Sequence, residues 1–147
     1  MTPKVANRGH SFKGAGAYYL HCKGHAKTSD RVEWTHTHNH STDDAQKALN
    51  RMAYIAMRAD KLKHRAGVST KGRKATAGAV YTFSLSYHEE QNPTEQDMKN
   101  DAFEALNFLG LKDHQAVMVA HNDTDHPHVH VICNLVNPVN GLSLIHI

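Results

Sequence analysis

Apolar residues recur at helical spacing between residues 43 and 66. They stand three or four positions apart, at Ala45, Leu49, Met52, Ile55, Ala56, Ala59 and Leu62. This spacing predicts an amphipathic helix that buries one face. Ser41 or Thr42 can cap its start, and Gly67 suits its exit because glycine readily adopts the left-handed conformation at a helix end.

A second amphipathic pattern predicts a helix over residues 94–109. Thr94 and Asp97 form a capping-box-like start, and Gly110 provides a stop. Residues 15–21 predict a short additional helix that carries a pair of tyrosines.

Three stretches rich in β-branched and aromatic residues predict strands, namely residues 79–88, 114–121 and 128–136. The last two are joined by the turn-rich segment NDTDHP. Residues 1–10 predict a tail with a short strand or loop, and the polar residues 24–42 predict irregular structure.

The order helix, strand, helix, strand, strand predicts an α+β fold. We expect an antiparallel sheet with both long helices packed on one face, in a single domain over residues 1–147. The abrupt apolar ending LSLIHI predicts that the chain is a fragment and that residues 141–147 are a doubtful tail.

The composition excludes several classes of protein. Apolar residues make up 39% of the chain and charged residues 21%, as in a globular domain. The net charge of +3 excludes a broadly basic nucleic-acid binder. Cys22 and Cys133 cannot form a disulfide framework, and no signal peptide or apolar run of about 20 residues is present. These features predict a cytoplasmic protein without membrane insertion.

The segment VAHNDTDHPHVHVICN concentrates the candidate chemistry. Strand alternation places His126, His128, His130 and Asn134 on one face and apolar side chains on the other. A hairpin would return His121 from the preceding strand to the same place. Three converging imidazoles leave coordination positions open, as in catalytic metal sites.

Two residues near the predicted metal site have different expected roles. Asp123 is expected to orient a ligating histidine by accepting its second N–H. His126 is expected to stay outside the metal's ligands because Pro127 disturbs the alternation. Because the chain contains 14 histidines, an HxH pair alone would carry little weight. The alternating His36, His38 and His40 are a weaker candidate, since no apolar positions alternate with them.

These residues resemble the third motif of the conjugative relaxases, the mobilization nucleases among the HUH endonucleases. The similarity extends to FKGAGAYYLHCKG, like the family's tyrosine motif, and to YTFSLSYHEEQNPT, like its serine motif. The three motifs stand in the family's order, over residues 11–140. The resemblance implies nicking and rejoining of one DNA strand at a transfer origin through a 5′-phosphotyrosine, during plasmid conjugation.

The resemblance also implies roles for individual residues. It assigns the nucleophile to Tyr19, which Leu20 follows as in the family, and a DNA contact to Ser86. Tyr18 and Tyr19 point about 100° apart on a helix, so only one can face the metal. Tyr18 is then expected to pack or to stack on a base.

The partners follow from the same comparison. Single-stranded origin DNA and accessory relaxosome proteins are implied. A basic loop suits phosphate contacts through Lys71, Arg73 and Lys74. The family uses Mg²⁺ or Mn²⁺, whereas imidazole ligands by themselves favour Zn²⁺, Cu²⁺ or Ni²⁺.

Two alternatives stay open at this point. HPHVHVI also resembles the histidine-triad nucleotide hydrolases, in which a histidine attacks the phosphate and no metal is needed. The chain could equally be a metal-binding or DNA-binding module without catalysis. The products separate them, because a relaxase leaves a covalent DNA–protein adduct and a hydrolase releases mononucleotide.

Overall fold

The computed structural model describes residues 1–20, 31–71 and 78–144. Its centre is an antiparallel sheet of five strands: β1 (Thr2–Val5), β2 (Val32–His38), β3 (Val80–Ser86), β4 (Ala116–His121) and β5 (His128–Asn134). Their order across the sheet is β1-β3-β5-β4-β2. The histidine-bearing strand β5 therefore lies in the middle, with hydrogen-bonded neighbours on both sides.

Within the described ranges, four α-helices surround the sheet: α1 (Phe12–Leu20), α2 (Ala45–Met57), α3 (Ala59–Arg65) and α4 (Glu95–Phe108). The helix predicted over residues 43–66 is divided at Arg58, whose φ of −106° and ψ of 18° leave the helical region. Asp44 caps α2 by accepting the Lys47 N–H at 2.9 Å, in place of the expected Ser41 or Thr42. The predicted capping box at the start of α4 is confirmed.

The prediction of irregular structure for residues 24–42 is wrong over Val32–His38. This segment forms the edge strand β2 and pairs with β4. An edge strand needs less apolar cover than a central one, so its sequence, VEWTHTH, lacks a clear apolar alternation. Residues 24–30 lie outside the described part of the chain.

The antiparallel α+β fold is confirmed, but the helices cover both faces of the sheet. On one face, Met98, Ala102 and Leu106 of α4 belong to a core with Val129 and Val131. On the other face, α1 and α2 pack against the alternate positions Val117, Val119 and Ile132. The expectation of both long helices on one face fails because β4 is buried at every position. A strand buried on both sides needs cover on both sides.

The end of the described chain returns to the core. Gly141 has a φ of +71°, and Ser143 bridges to Val136. Leu144 packs against the α4 side of the sheet. Residues 145–147 lie outside the described ranges, so the expected fragment and doubtful tail stay predictions. Among the described residues, no helix combines the length and apolar character of a membrane span.

Asn134 ends β5 as a fully buried polar anchor, with no exposed surface. Its Nδ2 donates to the carbonyl of Met52 and to Oε1 of Gln115, both at 3.2 Å. Its Oδ1 accepts the Val136 N–H at 3.0 Å. The side chain thus ties the histidine strand to α2 and to the segment before β4.

Replacing Asn134 by leucine is expected to lower the free energy of unfolding by about 2–4 kcal/mol. The substitution nearly conserves volume but leaves buried groups of Gln115 and Val136 without this partner. Urea unfolding would measure the change. The exposed Asn107→Leu is the control and is expected to stay within about 0.5 kcal/mol of the parent. A loss for Asn134→Leu as small as the control's would contradict the anchoring role.

Candidate metal centre and nucleophile

Three histidines converge on the α1 side of the central strands. In the β4–β5 register His121 stands opposite His128, and His130 is opposite Val119. The ring centroids of the three imidazoles lie 4.5–5.3 Å apart. One ligand nitrogen from each can be chosen so that all three lie within 4.8 Å of one another. The three residues predicted as ligands therefore form one cluster, and a metal ion could be held there.

Backbone carbonyls orient two of these imidazoles. His121 Nε2 lies 2.6 Å from the carbonyl oxygen of Tyr19, and His128 Nδ1 lies 3.0 Å from that of His126. The other nitrogen of each ring is left for a metal. Asp123 was expected to accept such an N–H, but its carboxylate lies 3.8 Å from Nε2 of His128. The tight turn brings the His126 carbonyl to Nδ1 instead.

Burial in the cluster favours the neutral form of His121 and His130, the form that binds metal ions. Burial lowers the pKa of His130 to about 3, with further lowering by the charges of His121 and His128. Burial is also the largest cause of the lowered pKa of His121. Burial therefore favours the neutral, metal-binding form of these two rings.

Helix α1 places Tyr19 over the histidine cluster. Its ring centroid lies 4.5 Å from that of His130 and 6.4 Å from that of His121. Burial, followed by the neighbouring Tyr18, raises the pKa of Tyr19, and Arg31 lowers it. Tyr18 is more exposed and meets Tyr19 edge to face, with centroids 4.9 Å apart. Tyr19 is thus the member of the pair beside the histidines.

A cavity of about 220 Å³ opens between α1 and the strands β1 and β3. Both tyrosines and His130 line it, together with Lys4 and Ser84. Neither Lys4 nor Ser84 was predicted from the sequence. Strand alternation alone could have placed Ser84 on the face of Ser86, but only the register shows that Ser84 pairs with His130.

The structure describes the positions of two of the four further residues predicted to contact DNA. Ser86 pairs with His128 in the β3–β5 register and is partly exposed. Lys71 is exposed, and its backbone N–H donates to Ser69 Oγ at 3.1 Å. Arg73 and Lys74 lie outside the described residues.

The remaining histidine candidates are separate from this cluster. His126 is exposed, its ring centroid 5.8 Å from that of His88. His36 and His38 contact Phe103 of α4, on the opposite face of the sheet.

Comparisons with known proteins identify a family. Residues 19–145 match the family described as "Relaxase: MobA/VirD2-like, nuclease domain". Protein MobA of Acidithiobacillus ferrooxidans is 36% identical over 56 residues, which cover 38% of this chain and 14% of the relative. The chain thus matches a small part of that longer protein.

The family match includes Tyr19, the strands β2 to β5 and the three clustered histidines, but not β1, Tyr18 or most of α1. It favours the relaxase interpretation over that of a histidine-triad hydrolase. The chain belongs to the MobA/VirD2-like family of mobilization relaxases and carries their nuclease domain.

Proposed function

We propose that this domain nicks and rejoins one strand of DNA at a transfer origin during plasmid mobilization. The observation that carries the proposal is the position of Tyr19, whose ring centroid lies 4.5 Å from that of His130, a member of the histidine cluster able to hold a metal ion. An oxygen nucleophile beside a bound cation is the arrangement that phosphodiester transfer needs.

In the proposed step, the Tyr19 hydroxyl oxygen forms a bond to the scissile phosphorus. The bond from phosphorus to the 3′ oxygen breaks, and the departing 3′-hydroxyl carries one proton as the tyrosine loses one. The product is a 5′-phosphotyrosine, which preserves the phosphodiester's bond energy for rejoining. Reversal by the same 3′-hydroxyl restores the strand and frees Tyr19.

His121, His128 and His130 would hold the divalent cation, which is Mg²⁺ or Mn²⁺ in this proposal. When bound, such an ion polarises a phosphate oxygen and stabilises the charge that develops there. Neutral ligands leave the ion its full charge. The carbonyls of Tyr19 and His126 fix the ring orientations, so the nucleophile's helix also positions one ligand. Asp123 would act on the site through its charge near His128.

The partner is single-stranded DNA. Tyr18 has the exposure needed to stack on a base. Lys4 and Ser84 line the cavity beside Tyr19 and could contact the backbone. Ser86, Lys71, Arg73 and Lys74 are proposed as further DNA contacts, and accessory relaxosome proteins as further partners, in a bacterial cytoplasm.

A covalent selection from a random DNA library tests this function. The protein is incubated with Mn²⁺ and a random single-stranded DNA library, and DNA that stays attached after denaturation is sequenced. We expect adducts that share one sequence and are linked through their 5′ ends. Release of mononucleotide without an adduct would favour a histidine-triad hydrolase. Binding without either product would favour a non-catalytic module.

A further inference from the structure

Arg31 lies beside the candidate site, in the turn that leads into β2. Its carbonyl oxygen accepts the Asn122 N–H at 2.8 Å, which joins it to the turn after β4. The side chain is only 12% exposed, and Nη1 lies 3.7 Å from the Asp123 carboxylate. The guanidinium carbon lies 5.5 Å from the ring centroid of Tyr18. The cation is therefore enclosed among residues next to the histidines and the tyrosines.

Two donors of this guanidinium have no partner among the described residues. Nε and Nη2 are buried and make no hydrogen bond within the part of the chain that the structure describes. Arginine cannot avoid the cost of burial by losing its proton. The nearby carboxylate of Asp123 faces Nη1 and is shared with His128. The fork formed by Nε and Nη2 is thus a buried pair of unsatisfied donors, whose geometry matches an anion with two oxygens.

We propose that Arg31 binds the scissile phosphate, with Nε–H and Nη2–H donating to its non-bridging oxygens. The inference rests on the proposed function and adds a catalytic residue to it. The two parallel N–H groups of a planar guanidinium match two oxygens of a phosphate, whereas the ammonium group of a lysine acts only as a point charge. Arg31 takes up no proton from Tyr19, because it is already protonated. Its role is to hold the phosphate between Tyr19 and the histidine cluster and to offset the charge of the transition state.

The test pairs protein variants with a modified DNA. The oligonucleotide recovered by the covalent selection is made with either a natural phosphate or a neutral methylphosphonate at the scissile position. Binding to both is measured by fluorescence anisotropy in EDTA, so that no metal contributes. Arg31→Gln removes the charge, and Arg31→Lys retains it without the fork. The matched control is Arg58→Gln, because Arg58 also stacks on a tyrosine, 4.3 Å from the Tyr54 ring, at the end of α2.

We expect the methylphosphonate to weaken binding by the parent protein and by Arg58→Gln about tenfold. Arg31→Gln should bind natural DNA about tenfold more weakly than the parent protein does. Its affinity should not fall further when methylphosphonate replaces the scissile phosphate. Its rate of adduct formation should fall about 100-fold, and Arg31→Lys should recover part of the affinity but little of the rate. If methylphosphonate weakens binding by Arg31→Gln as much as it weakens binding by the parent, Arg31 has a merely structural role and the proposal is overturned.

A second measurement is independent of catalysis. The parent protein is titrated with inorganic phosphate while the Nε–H signal of Arg31, identified by its absence in Arg31→Lys, is followed by NMR. A shift of this signal on adding phosphate supports an anion site at Arg31. If the shift is seen but no covalent adduct forms with any DNA, the proposed function is wrong and the anion site still stands. An Arg31 signal that phosphate does not move would overturn the anion site.

Discussion

Replacing Tyr19 by phenylalanine is expected to reduce covalent adduct formation by at least about 1,000-fold. The change removes only the attacking oxygen, so the ring can still stack beside His130, 4.5 Å away between centroids. Its backbone carbonyl, which orients His121, is also retained. Folding, metal affinity and DNA binding should therefore survive. Denaturing gels of the protein incubated with Mn²⁺ and the selected oligonucleotide would measure the loss.

The matched control is Tyr18→Phe. Tyr18 lies next in the chain but is exposed, and packing or stacking needs its ring and not its hydroxyl. This variant should form adduct at close to the parent's rate. An adduct that disappears in Tyr18→Phe and persists in Tyr19→Phe would reverse the assignment. Persistence in the double variant would end the tyrosine mechanism.

Single alanine substitutions at His121, His128 and His130 are each expected to weaken metal binding more than about 100-fold and to abolish metal-dependent nicking. Each removes one of three imidazoles that converge within 4.8 Å, and no fourth residue joins them in the described part of the chain. Calorimetric titration with Mn²⁺ and Zn²⁺ measures the affinity directly. This readout does not depend on whether the domain cleaves DNA.

His126→Ala supplies the comparison within the same segment. Its side chain is exposed, and only its backbone carbonyl contacts His128, so alanine keeps the relevant group. Metal affinity and nicking should stay close to those of the parent. An inactive His126→Ala together with an active His121→Ala would contradict the proposed ligand set.

The histidine cluster could be predicted from sequence because its geometry is local. Alternation along one strand puts His128 and His130 on one face, and a six-residue turn brings His121 back beside them. The α4 capping box was predictable for the same reason, since Thr94 and Asp97 lie within one turn. Such features depend on neighbours in the chain, and the sequence displays them directly.

Other features depended on contacts between residues distant in the chain. The polar strand β2 is stabilised by pairing with β4, some 80 positions later in the chain. Its own sequence therefore shows no local apolar pattern that would predict a strand. The helices lie on both faces because β4 is buried throughout, which the sequence pattern of each helix alone does not reveal.

The sequence by itself determined which residue types could form the site and the antiparallel hairpin that carries the histidines. It also showed that the chain contains both a tyrosine motif and a histidine motif. Only the tertiary structure decided that Tyr19, rather than Tyr18, stacks over the cluster, because that depends on how α1 docks on the sheet. It also decided that backbone carbonyls, not Asp123, orient the histidines. The enclosure of Arg31 was likewise invisible in the sequence, since burial and unpaired donors arise only when distant segments pack together.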